Sequence, residues 1–289
     1  MLTELLLPLA YLLLFLLPAV LLIFDFIRER KRDAARSVIP FDNLQRRPAG
    51  ESTRLRLESV DEDIEAYLAW ILIVAMALAF ALALQPRPNL VIIAGFFLVV
   101  VIITAIAQRK LRPLRKKRRA YQLGFQGERY VAEELNQLLA DGFEVFHDVP
   151  FDKFNIDHVL VGPQGIFAVE TKTRRKPLQE GKKQYNVTFD GKALVFPHYQ
   201  GTEAVGQAIR NRKSLAQWLS SATGDSLKAY AILTIPGWMV NTTALSPEVQ
   251  VLNPKQIRGA VLGRPIELDA SMIQRARHQL EQKCQLALD

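Results

Sequence analysis

Residues 155–173 read NIDHVLVGPQGIFAVETKT. Two apolar runs flank the tetrapeptide Gly-Pro-Gln-Gly, which predicts a β-hairpin with its turn at that tetrapeptide. This turn pairs Val159 with Ala168 and places Asp157 opposite Glu170 on the neighbouring strand. Like charges that face each other across a ladder destabilise a sheet by about 0.2–1 kcal/mol. The sequence therefore predicts that a positive group lies between these two carboxylates.

The net charge of +8 is distributed unevenly over the 289 residues. Residues 1–120 hold 18 Lys/Arg against 11 Asp/Glu, whereas residues 121–289 hold 19 against 18. The basic excess therefore belongs to the first 120 residues. The near-neutral remainder counts against a domain that binds nucleic acid tightly and without specificity. The single cysteine, Cys284, excludes an intrachain disulfide framework and a cysteine-based zinc site.

Three apolar runs predict transmembrane helices, at Leu5–Phe24, Ala66–Leu84 and Leu90–Ala107. Each run is long enough to cross a hydrocarbon core of about 30 Å as a helix. We therefore expect residues 1–120 to form an all-α membrane anchor of three transmembrane helices. The first run does not resemble a cleavable signal peptide, because Glu4 precedes it and the basic stretch RERKR follows it.

Basic flanking segments orient this anchor. Arg28–Arg56 contains nine Lys/Arg and Arg109–Arg119 contains eight, whereas the loop 85–89 contains one. The positive-inside rule places both basic segments in the cytoplasm. We therefore expect an integral protein of a bacterial inner membrane, with its N-terminus outside and its C-terminal domain cytoplasmic. The second basic segment is interpreted as a topology signal in contact with lipid headgroups, and phosphate contact with nucleic acid is the alternative.

The sequence after residue 120 indicates a mixed α/β domain. An apolar stripe at helical spacing, alternating strands and turn signals define its elements. The expected elements are a helix over 124–142, three strands between 143 and 173, a hairpin that turns at Asp190-Gly191, a helix over 201–221, a buried strand over 229–235, a short strand over 248–252, a helix that starts at Asn253-Pro254 and a last helix from about Asp269.

A group of charged side chains points to chemistry at the hairpin. Mg²⁺ prefers oxygen ligands, commonly one or two carboxylates completed by water and phosphate oxygens. Asp157 and Glu170 supply such carboxylates, and Lys172 shares the face of Glu170 because side chains alternate with period two. The lysine could position or deprotonate an attacking water and offset transition-state charge. Glu128 on the leading helix adds a carboxylate if that helix packs across the sheet, and Gln207 on the later helix could contact the site or a nucleic-acid backbone.

The same residues resemble a known family. Gly-x-x-Gly-Glu at 124–128, then Ile-Asp-His-Val-Leu-Val-Gly-Pro-x-Gly-Ile-Phe and Val-Glu-Thr-Lys, are similar to the NERD (nuclease-related) domain, which is placed in the PD-(D/E)XK nuclease superfamily. The resemblance covers about residues 121–236. It implies a PD-(D/E)XK nuclease-like mixed sheet flanked by helices. The stretch Thr-Arg-Arg-Lys departs from the aromatic-Gly type stretch that usually follows the lysine, which concerns the substrate groove rather than the metal site.

The resemblance also implies roles for individual residues. Asp157 and Glu170 correspond to the ligands of Mg²⁺ (or Mn²⁺), and Lys172 corresponds to the catalytic lysine. Glu128 corresponds to the helical glutamate of the family and Gln207 to its later helical glutamine. The implied activity is metal-dependent hydrolysis of a phosphodiester in nucleic acid, with DNA as the expected substrate.

Other polar residues give weaker indications. We expect His158, which alternates away from Asp157, to be packed or to face solvent, and the remaining histidines show no metal-ligand spacing. A run of basic residues either lines a phosphate-contacting edge or forms a solvated loop. These residues are Arg174, Arg175, Lys176, Lys182 and Lys183.

Together these features divide the chain into a membrane anchor (1–120), a NERD-like nuclease domain (121–236) and a C-terminal strand and helix extension (237–289). Our hypothesis is a membrane-anchored, metal-dependent nuclease-like enzyme that faces the cytoplasm and has nucleic acid and the lipid bilayer as partners. Two alternatives stay open. One is a module without turnover that tethers nucleic acid to the membrane, and the other is a membrane structural or assembly protein.

Overall fold

The computed structural model describes residues 46–85, 89–179 and 182–285, together with seven positions between 21 and 32. Its helices are α1 (Glu51–Ala83), α2 (Leu90–Leu135), α3 (Glu203–Thr223), α4 (Pro254–Leu262) and α5 (Ala270–Lys283), and a 3₁₀ helix spans Asn136–Asp141. Its strands are β1 (Glu144–Pro150), β2 (Asn155–Gly162), β3 (Gly165–Thr171), β4 (Leu178–Gln179), β5 (Lys182–Lys183), β6 (Asn186–Phe189), β7 (Leu194–Phe196), β8 (Tyr199–Gly201), β9 (Ala229–Thr234), β10 (Met239–Thr242) and β11 (Gln250–Leu252).

Two helices in the described part of the chain, α1 and α2, are long and apolar enough to cross a membrane. These two helices contain the second and third predicted spans. The first predicted span, Leu5–Phe24, lies outside the described residues apart from Leu21, Leu22 and Phe24. Large apolar side chains of the other two spans are exposed in the protein, Trp70 and Phe97 among them. Exposed apolar area of this extent marks an interaction surface.

The chain divides into two compact units. One unit contains residues 1–42 and 66–110, and the other contains residues 43–65 and 111–289. Residues 43–65, which the sequence pattern assigns to the membrane anchor, therefore belong with the α/β unit.

The central sheet of the α/β unit has five strands in the order β1-β2-β3-β9-β11. Strands β1, β2 and β3 are antiparallel neighbours, and β9 runs parallel to β3 and to β11. The hairpin pairs Val159 with Ala168 and Val161 with Ile166, which confirms the register predicted from the turn. A second sheet has the order β10-β6-β7-β8.

Helices cover both faces of the central sheet. Alternate residues of the hairpin, such as Val159 and Ala168, pack on Leu215 of α3 and Leu280 of α5. Residues of the opposite parity pack on α2 and α4: Leu160, Phe167 and Val169 contact the cluster that contains Val131, Leu135 and Ile257. Because successive side chains of a strand point to opposite faces, these two clusters make a three-layer α/β/α arrangement. The mixed α/β class is confirmed.

The predicted helix over 124–142 is not a separate element. It is the C-terminal part of α2, which runs without a break from Leu90 to Leu135 and passes through Pro113. The predicted stop is confirmed, because Gly142 adopts φ 81° after the 3₁₀ turn. The long helix also means that Glu128 does not lie in a first helical turn, so a favourable interaction with a helix dipole does not explain this glutamate.

Gly127 permits close contact between α2 and the chain that follows β3. A Cβ atom at this position would overlap Cγ2 of Thr173 and lie 3.2 Å from its Cβ. The absence of a side chain therefore lets the helix approach the end of β3, and the next helical residue, Glu128, is held beside the carboxylates of the hairpin.

We expect Gly127→Ala to lower the free energy of unfolding by about 1–2 kcal/mol, because overpacking costs about 1–3 kcal/mol and alanine regains up to about 1 kcal/mol of helix propensity. Thr173→Ser, which removes Cγ2, should restore most of the loss in the double variant. Gly259→Ala in α4 is the matched control, because nothing lies within 4 Å of its Cβ position. This variant should raise the midpoint of thermal unfolding. Thermal unfolding of the full chain in detergent measures these effects, and equal midpoints for Gly127→Ala and wild type would contradict the contact.

Candidate active site

The first two carboxylates of the site lie at the ends of neighbouring strands. The β2–β3 ladder ends at the pair His158 and Val169, so Asp157 and Glu170 occupy the next position on each strand. There the Thr171 backbone N–H donates a hydrogen bond to Asp157 Oδ2 at 2.7 Å. This bond holds the aspartate against the strand that carries Glu170.

Burial and mutual repulsion change the ionisation of these two acids. Loss of hydration on burial raises the pKa of Asp157 well above its usual range, and the negative charges of Glu170 and Glu128 raise it further. Burial likewise raises the pKa of Glu170 to about 8, although the positive charge of Lys172 acts in the opposite direction. Glu170 is only 4% exposed. Near neutral pH, Glu170 therefore retains its proton.

The third carboxylate of the candidate site is Glu128 on α2. Burial raises the pKa of Glu128 to about 7, against the opposing effect of a hydrogen bond from the Thr53 hydroxyl. That hydroxyl donates to Oε1 at 2.9 Å. The negative charge of Glu128 raises the pKa of both strand carboxylates, so the three acids share one electrostatic environment.

An asparagine that the sequence pattern did not single out contacts the site. Asn211 of α3 is 3% exposed, and its Nδ2 donates to Glu170 Oε2 at 2.8 Å. Gln207, the residue predicted on this helix, lies one turn earlier on the same face, and both line a cavity of 380 Å³ with Phe154. Within the described residues, the Gln207 side chain makes no hydrogen bond. A buried amide on the face that meets the sheet was the available signal for Asn211.

Lys172 follows the last residue of β3. Its backbone N–H donates to the Thr234 carbonyl at 2.9 Å, which continues the pairing with β9 beyond the strand end. The side chain is partly exposed, and its positive charge lowers the pKa of Glu170. Among the described residues, Lys172 makes no salt bridge. Its ammonium group therefore influences the carboxylates without forming an ion pair with any carboxylate in the described part of the chain.

The histidines do not contribute to this cluster. His158 is fully buried, as the packed alternative predicts, and its Nδ1 lies 2.9 Å from Nδ1 of His147 on β1. Burial lowers the pKa of His147 to about 4, so the pair is neutral at physiological pH. His198 is exposed, and His278 contacts Gln282 within α5. In the ranges that the structure describes, no three His, Cys, Asp or Glu side chains are grouped closely enough to hold a metal ion by themselves.

One of three comparisons with known proteins, the family model, agrees with the resemblance. Residues 123–236 match the family model for NERD, the nuclease-related domain. A search of curated proteins gave no match. Among solved structures, SfsA from Pyrococcus furiosus in complex with Ca²⁺ is 16% identical, with a TM-score of 0.21 over 53% of this chain. The chain spans about half of that SfsA chain, 52% of its length.

The raised pKa of Glu170 gives a pH dependence of stability with a definite sign. The folded protein binds a proton at Glu170 up to about pH 8, whereas the unfolded chain releases it near pH 4.5. The contribution of Glu170 to the free energy of unfolding is therefore fully present below pH 4.5. It decreases as pH rises from there through 8, by up to about 1.4 kcal/mol per pH unit. Glu170→Gln should flatten the decline of the thermal midpoint between pH 5 and 8.

The exposed Glu203 of α3 provides the control for this titration. Glu203→Gln should leave the pH profile of the wild-type midpoint unchanged. Parallel pH profiles for wild type and Glu170→Gln would contradict a buried, protonated Glu170.

Proposed function

We propose that the chain, whose residues 123–236 match the family model of the nuclease-related domain, is a metal-dependent phosphodiester hydrolase that acts on nucleic acid, with DNA as the expected substrate. The observation that carries this proposal is the cluster of Asp157, Glu170 and Glu128, whose pKa values are all raised, with the positive charge of Lys172 acting on Glu170. Functional sites concentrate perturbed pKa values of this kind in a small volume.

The donor set suits a hard divalent cation. Asp157 and Glu170 offer carboxylate oxygens from two neighbouring strands, and Mg²⁺ commonly takes one or two carboxylates and completes its shell with water and substrate oxygens. The raised pKa values indicate that the cluster lacks positive charge when no cation is bound. When bound, Mg²⁺ or Mn²⁺ would polarise the phosphodiester and make a bound water more acidic.

Each remaining side chain has a role that its position supports. Lys172, whose positive charge acts on Glu170, is assigned to stabilise negative charge that develops on the phosphate. Glu128, with a pKa of about 7, is assigned as the base that accepts a proton from the attacking water, because a base is most effective when its pKa lies near the working pH. Asn211 holds one oxygen of Glu170, which orients that carboxylate toward the cation.

The arrangement of these residues also supports the PD-(D/E)XK superfamily as the class of the domain. The aspartate lies near the N-terminal end of one strand of an antiparallel hairpin, and the Glu-x-Lys sequence lies at the C-terminal end of the other. The second strand then continues the sheet through a parallel neighbour, β9. Helices on both faces bring Glu128 and Asn211 to the same edge of that sheet.

A basic groove next to the site supports nucleic acid as the substrate. One wall is the face of α2 that carries Arg112, Arg115, Lys116 and Arg119, and the other is the segment after Lys172. Two adjoining cavities of 630 and 640 Å³ make up the groove. Their linings share Arg119, Leu123, Arg174 and Arg175, and Lys176 lies in the second.

The chemistry of this groove favours a polyanion. Seven Lys/Arg side chains and no carboxylate are found among its described lining residues. Arg174 is held in place because its guanidinium stacks over Tyr199 at 3.6 Å, and its carbonyl accepts a hydrogen bond from Trp238. Rows of Lys/Arg bind the phosphates of nucleic acid by electrostatic attraction and counterion release. The groove supplies the positive surface that the overall charge of residues 121–289 does not.

The membrane part of the proposal rests on α1 and α2. Both helices contain apolar stretches of transmembrane length. One basic segment precedes the apolar stretch of α1, and another follows the apolar stretch of α2. The positive-inside rule then assigns the α/β unit to the cytoplasm, where nucleic acid is present.

Cleavage by the full chain in lipid nanodiscs tests the proposal. We expect cleavage of DNA with Mg²⁺ or Mn²⁺ and none with EDTA. Asp157→Asn and Lys172→Met should each lower the rate by about 100-fold or more, the loss expected when one charge-stabilising group is removed from a hydrolytic site. Matched controls are Asp152→Asn and Lys153→Met, which change exposed residues of the β1–β2 turn and should retain wild-type rates.

Each of the other outcomes of this cleavage experiment would favour a different function or exclude an assigned role. Metal-independent binding of nucleic acid without cleavage would identify a tether. Neither binding nor cleavage, with DNA and RNA both offered, would direct attention to a structural role of the membrane helices. Equal rates for wild type and Lys172→Met would exclude the assigned role of the lysine.

A second measurement tests the groove. We expect Arg119→Gln combined with Arg175→Gln, one residue from each wall, to weaken DNA binding and to make log K depend less steeply on log salt concentration, by about 0.9 for each phosphate that the protein no longer neutralises. Lys228→Gln combined with Lys255→Gln removes the same charge from exposed positions outside the groove and should change neither quantity. Identical salt slopes for both double variants would rule out the groove as the phosphate-binding surface.

A further inference from the structure

A short segment outside the matched domain reaches the candidate active site. Residues 46–54, here called the clasp, precede residues 123–236 by about 70 positions, yet they belong to the same compact unit. The clasp contains the first turn of α1 and the chain that leads into it.

A buried aspartate of β1 anchors the clasp. Asp148 is 1% exposed, and its carboxylate accepts hydrogen bonds from Arg47 at 2.5 and 2.9 Å. It also accepts from the backbone N–H of Ser52 at 3.0 Å and from the Ser52 hydroxyl at 2.6 Å. The Ser52 N–H lies in the first turn of α1, where backbone donors have no partner within the helix, so Asp148 caps this helix from another part of the chain.

Further contacts fix the clasp along its length. The Arg47 backbone N–H donates to the Cys284 carbonyl at 3.0 Å, and Arg46 pairs with Glu144 at 3.5 Å. Gly50 adopts φ 76°, and a Cβ atom there would lie 2.8 Å from the ring of Phe125 on α2. This conformation and this close approach both require glycine.

The clasp ends at the third carboxylate. The Thr53 hydroxyl donates to Glu128 Oε1 at 2.9 Å, and the Gly50 Cβ position is 3.4 Å from Oε2 of the same residue. The two sides of the Glu128 carboxylate group are therefore bounded by residues of the clasp. Thr53 is the residue of the clasp whose side chain donates a hydrogen bond to the three-carboxylate cluster.

We propose that the clasp is part of the active site and that Thr53 is a positioning residue that orients Glu128. This inference rests on the proposed function, since it assigns a role in that same site. Asp148, through Arg47 and Ser52, sets the position of Thr53. Because α1 continues from the clasp into the apolar residues 66–83, the helix that orients Glu128 is also one of the two candidate membrane spans. Under this proposal, hydrolysis requires the clasp to be docked against Asp148, because that contact sets the position of Thr53.

The full chain in lipid nanodiscs, with linear DNA and Mg²⁺, tests the role of Thr53. Thr53→Val preserves the shape of the side chain and removes the donor, so kcat should fall about tenfold or more, the factor that one hydrogen bond to a charged group provides. KM for DNA should not change, because Thr53 does not line the groove. Thr53→Ser retains the hydroxyl and should keep kcat close to the wild-type value. Thr242→Val, at an exposed position of β10, is the matched control.

Hydrogen exchange of the same samples provides a readout that does not require activity. We expect the backbone amides of residues 51–55 to be protected in the wild type and to exchange faster in Asp148→Asn, which keeps a residue tolerant of φ 47° but removes the carboxylate. Asp152→Asn on the neighbouring turn should leave the exchange unchanged.

The outcomes separate the two proposals. Absence of cleavage by the wild type with every substrate would refute the proposed function, and the exchange measurement would then decide whether the clasp is docked through Asp148. Cleavage by Thr53→Val at the wild-type rate would overturn the positioning role and leave the nuclease proposal intact. A cleavage rate for Thr53→Ser as low as that of Thr53→Val would also overturn the positioning role, because the hydroxyl would then not be the group that matters.

Discussion

The placement of three carboxylates in one electrostatic environment is the constraint on which the rest of this structure depends. Each acid loses hydration and repels the others, so their pKa values rise and the cluster costs stability when no cation is present. Each receives a hydrogen bond from a different element. The donors are the Thr171 backbone N–H for Asp157, the Asn211 side chain for Glu170 and the Thr53 hydroxyl for Glu128. A chain that retains such a cluster gains from it in function rather than in stability.

Helix α2 connects the parts of the molecule that the proposed function requires. The same helix contains an apolar stretch of transmembrane length, the basic face that begins at Arg112, and Glu128. Its contact with the segment after β3 depends on Gly127, because any larger residue would meet Thr173. One wall of the groove and Glu128 therefore lie on the same helix, α2. Small changes in the packing of this helix would alter both the substrate surface and the site.

Much of the fold follows from local sequence patterns. The turn at residues 162–165 fixes the register of the hairpin, and alternation then assigns each residue to one face of the sheet, which places Asp157 beside Glu170. The start of α4 is equally local, since Asn253 and Gln256 form a capping box. The length and apolarity of α1 and α2 are also visible directly. These features depend on neighbours within a few residues, so periodicity and turn chemistry determine them.

Other features depend on contacts between distant parts of the chain. Periodicity places Gln207 and Asn211 on one face of α3, but only the packing of that helix on the sheet decides that Asn211 meets Glu170. Thr53 is 75 positions from Glu128, and Arg47 is 101 from Asp148. By itself, then, the sequence determined the hairpin, its pair of acids and the apolar helices. The tertiary structure alone decided which residues surround those acids, because hydrogen bonds between distant segments leave no local pattern.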